Sequence, residues 1–196
     1  MSYWGVKDTS INFCEEPYKE NTYVAEFYNT LSGSLYILVA LPFLNTKVSD
    51  IAIISIFLGI GTILLHMTQR NYGQLLDETM MLLLCYVILC KIRKEIYKKR
   101  YAIGIITFYL FNNKIFLVFF SLFMILILLI IYESRRINNE KNKYYRNLFL
   151  YSMSFGTLFW ISDQIYCETV QIYQFHAFWH ITTSVSIYCG LVLLDI

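Results

Sequence analysis

Apolar residues run in long blocks, roughly 22–44, 48–66, 75–90, 101–111, 115–132, 147–166 and 175–195, each closed by a short polar stretch. Blocks of this kind, most of them near the ~20 residues that cross a bilayer as a helix, read as spans rather than strands. The pattern predicts an all-α membrane protein, a seven-transmembrane helix bundle over 22–196 preceded by a polar segment over 1–21. Together they form one domain, 1–196. The weakest block is "YAIGIITFYLF" at 101–111, which at ~1.5 Å per residue falls short of the hydrocarbon thickness.

Composition agrees, since 57% hydrophobic and 15% charged residues leave too few solvating side chains for an ordinary soluble domain. Charge then sets the orientation. Lys47, the cluster Lys91, Arg93, Lys94, Lys98, Lys99 and Arg100, and the cluster Arg135, Arg136, Lys141, Lys143 and Arg146 make up twelve of the sixteen basic residues. With seven crossings they all fall on alternate loops of one side, which the positive-inside rule makes cytoplasmic. A re-entrant hairpin over 101–132 would satisfy the same bias. The amino terminus is expected on the non-cytoplasmic face and the carboxyl terminus in the cytoplasm. The amino-terminal segment has no apolar core of a cleavable signal, and Asp8, Glu15, Glu16 and Glu20 outnumber its Lys7 and Lys19. There is no glycine-rich phosphate loop, no internal repeat and no basic segment suited to nucleic acid, and no obligate protein partner is indicated.

Cys85, Cys90 and Cys189 lie inside apolar blocks, as small hydrophobic residues do. Cys14 and Cys167 both fall on the non-cytoplasmic side, so an oxidising space there predicts a disulfide between them.

The three histidines of the chain, His66, His176 and His180, are placed by this topology at one membrane face. The i, i+4 spacing of "HAFWH" puts His176 and His180 one turn apart on one face, and His66 would complete the three-ligand set of a catalytic zinc site. A pair at that spacing also suits interfacial anchoring. Asp77, in "QLLDETMM", joins the same face through a short connection from His66, either as an acid/base group or as a carboxylate favoured near a helix amino terminus. Thr62 is one turn before His66, its hydroxyl aimed at the site or bonded back to its own helix. Glu26, just inside the first block, needs a partner if ionised, or else reaches back to water.

"YWG" at 3–5, "SINFCEEPY" at 10–18, "AEFYNTLS" at 25–32, "GIGTILLHMT" at 59–68, "QLLDETMM" at 74–81, "FWISDQIYCE" at 159–168 and "FHAFWHI" at 175–181 resemble the alkaline ceramidases. These are seven-transmembrane amidases of the membrane hydrolase superfamily that includes the adiponectin receptors. The resemblance implies a zinc-dependent hydrolysis of ceramide to a sphingoid base and a free fatty acid, in the endoplasmic reticulum or Golgi membrane, with the site towards the non-cytoplasmic face. It implies zinc on His66, His176 and His180, Asp77 as acid/base, and Thr62 as the assisting hydroxyl where the family usually has serine. It also implies calcium on Asn12, where the family has aspartate, the carbonyl of Phe13, Glu15, Pro17, where the family has asparagine, and Glu26. A related lipid hydrolase and a non-catalytic lipid sensor remain the alternatives.

Overall fold

The computed structural model describes residues 3–94, 98–135, 137 and 140–195. Among them the regular structure is all helical, with no strand: α1 (Phe27–Ala40), α2 (Ser49–Thr68), α3 (Asn71–Arg93), α4 (Lys99–Phe111), α5 (Phe116–Ser134), α6 (Glu140–Ile165), the short α7 (Cys167–Val170) and α8 (Phe175–Asp195). Arg136 and the side chain of Lys141, two of the basic loop residues, lie outside the described set.

The helices differ from the apolar blocks where polar chemistry intervenes. The first block becomes helical only at Phe27, and Pro42 tightens its end into a 3-10 turn, Leu41–Phe43, because proline offers no backbone N–H to continue an α-helix. α3 starts before its apolar block and α6 likewise. Among the described residues three helices, α2, α5 and α8, are both long and apolar enough to cross a membrane. α3 is longer than any of them but carries Asp77 and Glu78 inside, and those carboxylates dilute its hydropathy. α4, with 13 residues, spans roughly 20 Å.

α1 packs against α2 and α8, α2 against α3, α3 against α5, and α6 against α8, while α4 leans on α3 and α5. The ring closes through Trp160 of α6, which meets Phe116, Phe120 and Phe123 of α5. Leu117, Ile125 and Leu128 of α5, and Phe155 and Leu158 of α6, face outward, the apolar exterior expected against lipid rather than water. The interior is where the polar residues are. Ser55, Thr62, His66, Gln74, Asp77, Glu78, His176 and His180 are all buried.

Two glycines set the geometry on which the site depends. α2 and α3 are joined by only Gln69 and Arg70 and so run back along each other. A Cβ on Gly61 would lie 2.6 Å from the Asp77 backbone nitrogen, and one on Gly73 2.5 Å from that of Leu65. Only hydrogen at these positions lets the two backbones touch.

Candidate metal centre

The three histidines come from α2 and α8, the two helices that flank α1, and meet. His66 lies in the last turn of α2, and His176 and His180 in the first turns of α8. Each is at most 4% exposed, and one possible ligand atom from each lies within 4.8 Å of the others. Among the described residues this is the one group of three or more such side chains placed to hold a metal ion.

Two of the three have their second nitrogen held from behind. His66 Nδ1 is 2.5 Å from Glu26 Oε2, and His180 Nδ1 is 2.8 Å from Ser32 Oγ, leaving Nε2 of each for a ligand. Partners of this kind fix ring orientation and tautomer in metal-binding histidines. His176 Nδ1 is buried with no hydrogen-bond partner, a costly state for a polar atom that a metal would relieve. The donor set therefore fits a zinc ion: three imidazoles, with room for a fourth ligand.

Glu26 is fully buried and answers the question its position raised. Besides His66 it receives Gln69 Nε2 at 2.7 Å and Asn29 Nδ2 at 3.1 Å. Gln69 reaches it by ending α2 in the left-handed region at φ 53°, a conformation that costs a non-glycine residue energy and often marks a functional site.

Asp77 lies well inside α3, so its burial is not explained by the dipole of a helix amino terminus. Its Oδ1 accepts a short hydrogen bond from Thr62 Oγ1, and the same hydroxyl is 2.9 Å from the Leu58 carbonyl of its own helix. A threonine has one hydroxyl hydrogen and cannot donate to both at once. Asp77, Thr62, His176 and His180 line one cavity, which shares Tyr36, Leu58, Met81 and Trp179 with a second, largely apolar chamber running deeper between α3, α5 and α8. A separate apolar groove opens outward between α1 and α8, beside Ser32 and Ala177.

The amino-terminal segment caps this end of the bundle. Phe13 lays its ring 4.2 Å from that of His176 and 4.6 Å from that of His66, a contact with no signal in hydropathy. Cys14 and Cys167 are joined by a disulfide, with Cα atoms 5.2 Å apart.

The calcium expected on Asn12, Phe13, Glu15, Pro17 and Glu26 finds no support among the described residues. Glu15 spends both carboxylate oxygens on the Tyr28 and Asn29 amides at the start of α1; burial pushes its carboxyl above the ordinary range, and those two N–H groups oppose the shift. Asn12 Oδ1 is taken by the Lys7 ammonium at 2.7 Å, Glu26 serves His66, and Pro17 has no side-chain donor.

Apolar helices enclosing a buried polar site define this chain as a membrane protein with a candidate metal centre. A family model described as Ceramidase matches residues 5–196, so the chain belongs to the ceramidase family, hydrolases acting on amide bonds. It is similar to an alkaline ceramidase of Arabidopsis thaliana, 28% identical over 98% of this chain and 85% of that one. Alkaline ceramidase 3 of Mus musculus is 25% identical, over 97% and 84%, and an alkaline ceramidase of Drosophila melanogaster 26%, over 93% and 75%.

Proposed function

We propose that this protein is a zinc-dependent ceramidase, one domain over 1–196 that crosses an endoplasmic reticulum or Golgi membrane seven times. Its amino terminus and active site would face the non-cytoplasmic side and its carboxyl terminus the cytoplasm. The observation that carries the reading is the convergence of three buried histidines beside the Thr62–Asp77 pair, in a chain of the ceramidase family.

His66, His176 and His180 would hold the metal. Bound there, zinc supplies Lewis-acid polarisation of the substrate carbonyl and lowers the pKa of a water towards neutrality. Asp77 takes a proton from the attacking water and passes it to the departing amine nitrogen. When ionised, Asp77 receives the Thr62 hydrogen. Once protonated it no longer needs that donor, and the Thr62 hydroxyl is released to hydrogen-bond the oxyanion developing on the former carbonyl. The products are a sphingoid base and a free fatty acid. The largely apolar lining of the deeper chamber suits a hydrocarbon chain, and the groove between α1 and α8 would give a lipid a lateral way in. Three candidate ligands among the described residues favour an open catalytic site over the closed four-ligand site of a structural zinc.

The test is release of sphingoid base from a panel of ceramides by purified protein in detergent. Asp77→Asn should abolish release while keeping metal, and His176→Ala should lose both. Release that survives His176→Ala would overturn the proposal.

A further inference from the structure

A third cavity lies below the apolar chamber, and the three follow one another down the bundle. Along α8 their linings pass from His180 to Ile187 to Leu194, and along α3 from Asp77 to Ile88 to Ile92. Arg146 lines the lowest one and donates to the Ile137 carbonyl at 2.9 Å, a polar end to an otherwise apolar path. The chamber and the lowest cavity share Ile88 and Phe149, so these two side chains stand where one ends and the other begins.

Phe149, on α6, is 6% exposed and its backbone is pinned to α8. Its carbonyl oxygen accepts from Ser186 Oγ at 3.3 Å, and the Ser152 and Ser186 hydroxyls meet at 2.6 Å. Hydroxyls set between apolar helices join them in this way. Gly190 of α8 lines the lowest cavity beside the ring, and a Cβ there would come no closer than 4.0 Å to it.

The chemistry of the chamber selects the chain that enters it. A ceramide carries hydroxyls beside its amide nitrogen on the sphingoid side, whereas its acyl side is bare hydrocarbon from the carbonyl onward. The two hydroxyls that line the chamber, those of Tyr36 and Thr183, bond each other at 2.6 Å, so the lining suits the acyl chain. At ~1.5 Å per residue, Ile187 lies about 10 Å from His180 along α8 and Ile88 about 16 Å from Asp77 along α3, whereas Leu194 and Ile92 lie about 21 and 22 Å down the same helices. Carbon–carbon bonds of about 1.5 Å advance an extended chain by about 1.25 Å per carbon, so the path holds about 8–13 carbons above Phe149 and about 17–18 over its full depth.

We propose that Phe149, with Ile88 beside it, is the floor of the acyl-chain chamber and sets the length of fatty acid that the enzyme releases. This rests on the ceramidase reading and adds a specificity determinant to it. A hydrophobic pocket separates chains that differ by one methylene by about 10- to 200-fold, so a chain that overshoots the floor is rejected. Removing the ring joins the lowest cavity to the chamber and lengthens the path as far as Arg146.

The experiment measures kcat/KM on ceramides of graded acyl length and one sphingoid base, with zinc-loaded protein in detergent. Wild type should favour acyl chains of about 8–13 carbons and fall at least about tenfold beyond them. Phe149→Ala should move that limit up by about 5–8 carbons, with Phe149→Leu moving it less. Leucine at 190 refills the vacated space, so Phe149→Ala with Gly190→Leu should bring the limit back. Zinc content checks that each variant is folded. The same length profile in wild type and both Phe149 variants would overturn the proposal and leave the lowest cavity a packing void. A limit that follows sphingoid-chain length instead would overturn it as well. Binding of free fatty acids of the same lengths, read as a rise in Tm, keeps the two readings apart. A rise that depends on length and moves with Phe149→Ala, without any wild-type hydrolysis, sinks the ceramidase reading alone. Hydrolysis that ignores acyl length sinks the floor alone.

Discussion

Replacing Gly61 by alanine tests whether backbone contact between α2 and α3 is what places Asp77. The new Cβ would lie 2.6 Å from the Asp77 nitrogen and 2.8 Å from its Cα, against 3.4 Å at the near edge of ordinary contact, so the helices must part by about 0.8 Å. Both atoms are backbone, so no side-chain rotation relieves the clash. Overpacking of this kind costs about 1–3 kcal/mol, and a shift near 1 Å in a catalytic group costs on the order of 10²-fold in rate. The histidines sit on α2 and α8, which the substitution does not push apart. Gly61→Ala should therefore lose about 10- to 100-fold in kcat on ceramide while retaining its metal. Gly104→Ala is the control, since a Cβ there meets nothing within 4 Å. It should match wild type in turnover and gain a little helix stability. Turnover and bound metal are measured on the same preparations. Wild-type turnover in Gly61→Ala, or loss of metal in step with turnover, would refute the reasoning.

Thr62→Ser keeps the hydroxyl and should hold kcat within about fivefold, whereas Thr62→Val should lower kcat by about 10²–10³ with KM little changed; an active valine variant would speak against the shared-hydrogen scheme. Glu26→Gln must turn an NH₂ towards either His66 or Gln69, so metal affinity read by chelator competition should fall about 10- to 100-fold, and unchanged affinity would contradict the role of Glu26. The Cys14–Cys167 disulfide closes a separation of 153 residues; replacing both by serine should destabilise the bundle by at most about 5 kcal/mol, seen as a lower Tm in detergent, and equal Tm values would show the cap is held without it.

The all-helical character and the histidine group were legible because each rests on a periodicity or a topology. Apolar blocks give helices, and i, i+4 spacing gives one face. His66 and the α8 pair could be assigned to one end from loop charges alone, without any contact being visible. What could not be read were the partners supplied across the ring. That Glu26 would need a partner follows from its burial in an apolar block, but that His66 is the partner depends on how α1 lies against α2. Ser32, behind His180, carries no signal beyond being a small polar residue in an apolar helix. The calcium ligands were carried by resemblance, and the side-chain oxygens of Asn12 and Glu15 accept hydrogen bonds from Lys7, Tyr28 and Asn29. Helix starts were misjudged at α3 and α6, where polar residues such as Asn71 and Gln74 continue a helix that hydropathy does not register, and at α1, where the apolar block begins before the helix does.

The most direct measurement is a zinc titration of metal-stripped protein, following bound zinc per chain and ceramide hydrolysis together. The account predicts that activity rises with occupancy and saturates at one zinc per chain, and that His66→Ala, His176→Ala and His180→Ala each abolish both. Full hydrolysis by zinc-free protein, or saturation of the histidine site without any release of sphingoid base, would contradict it.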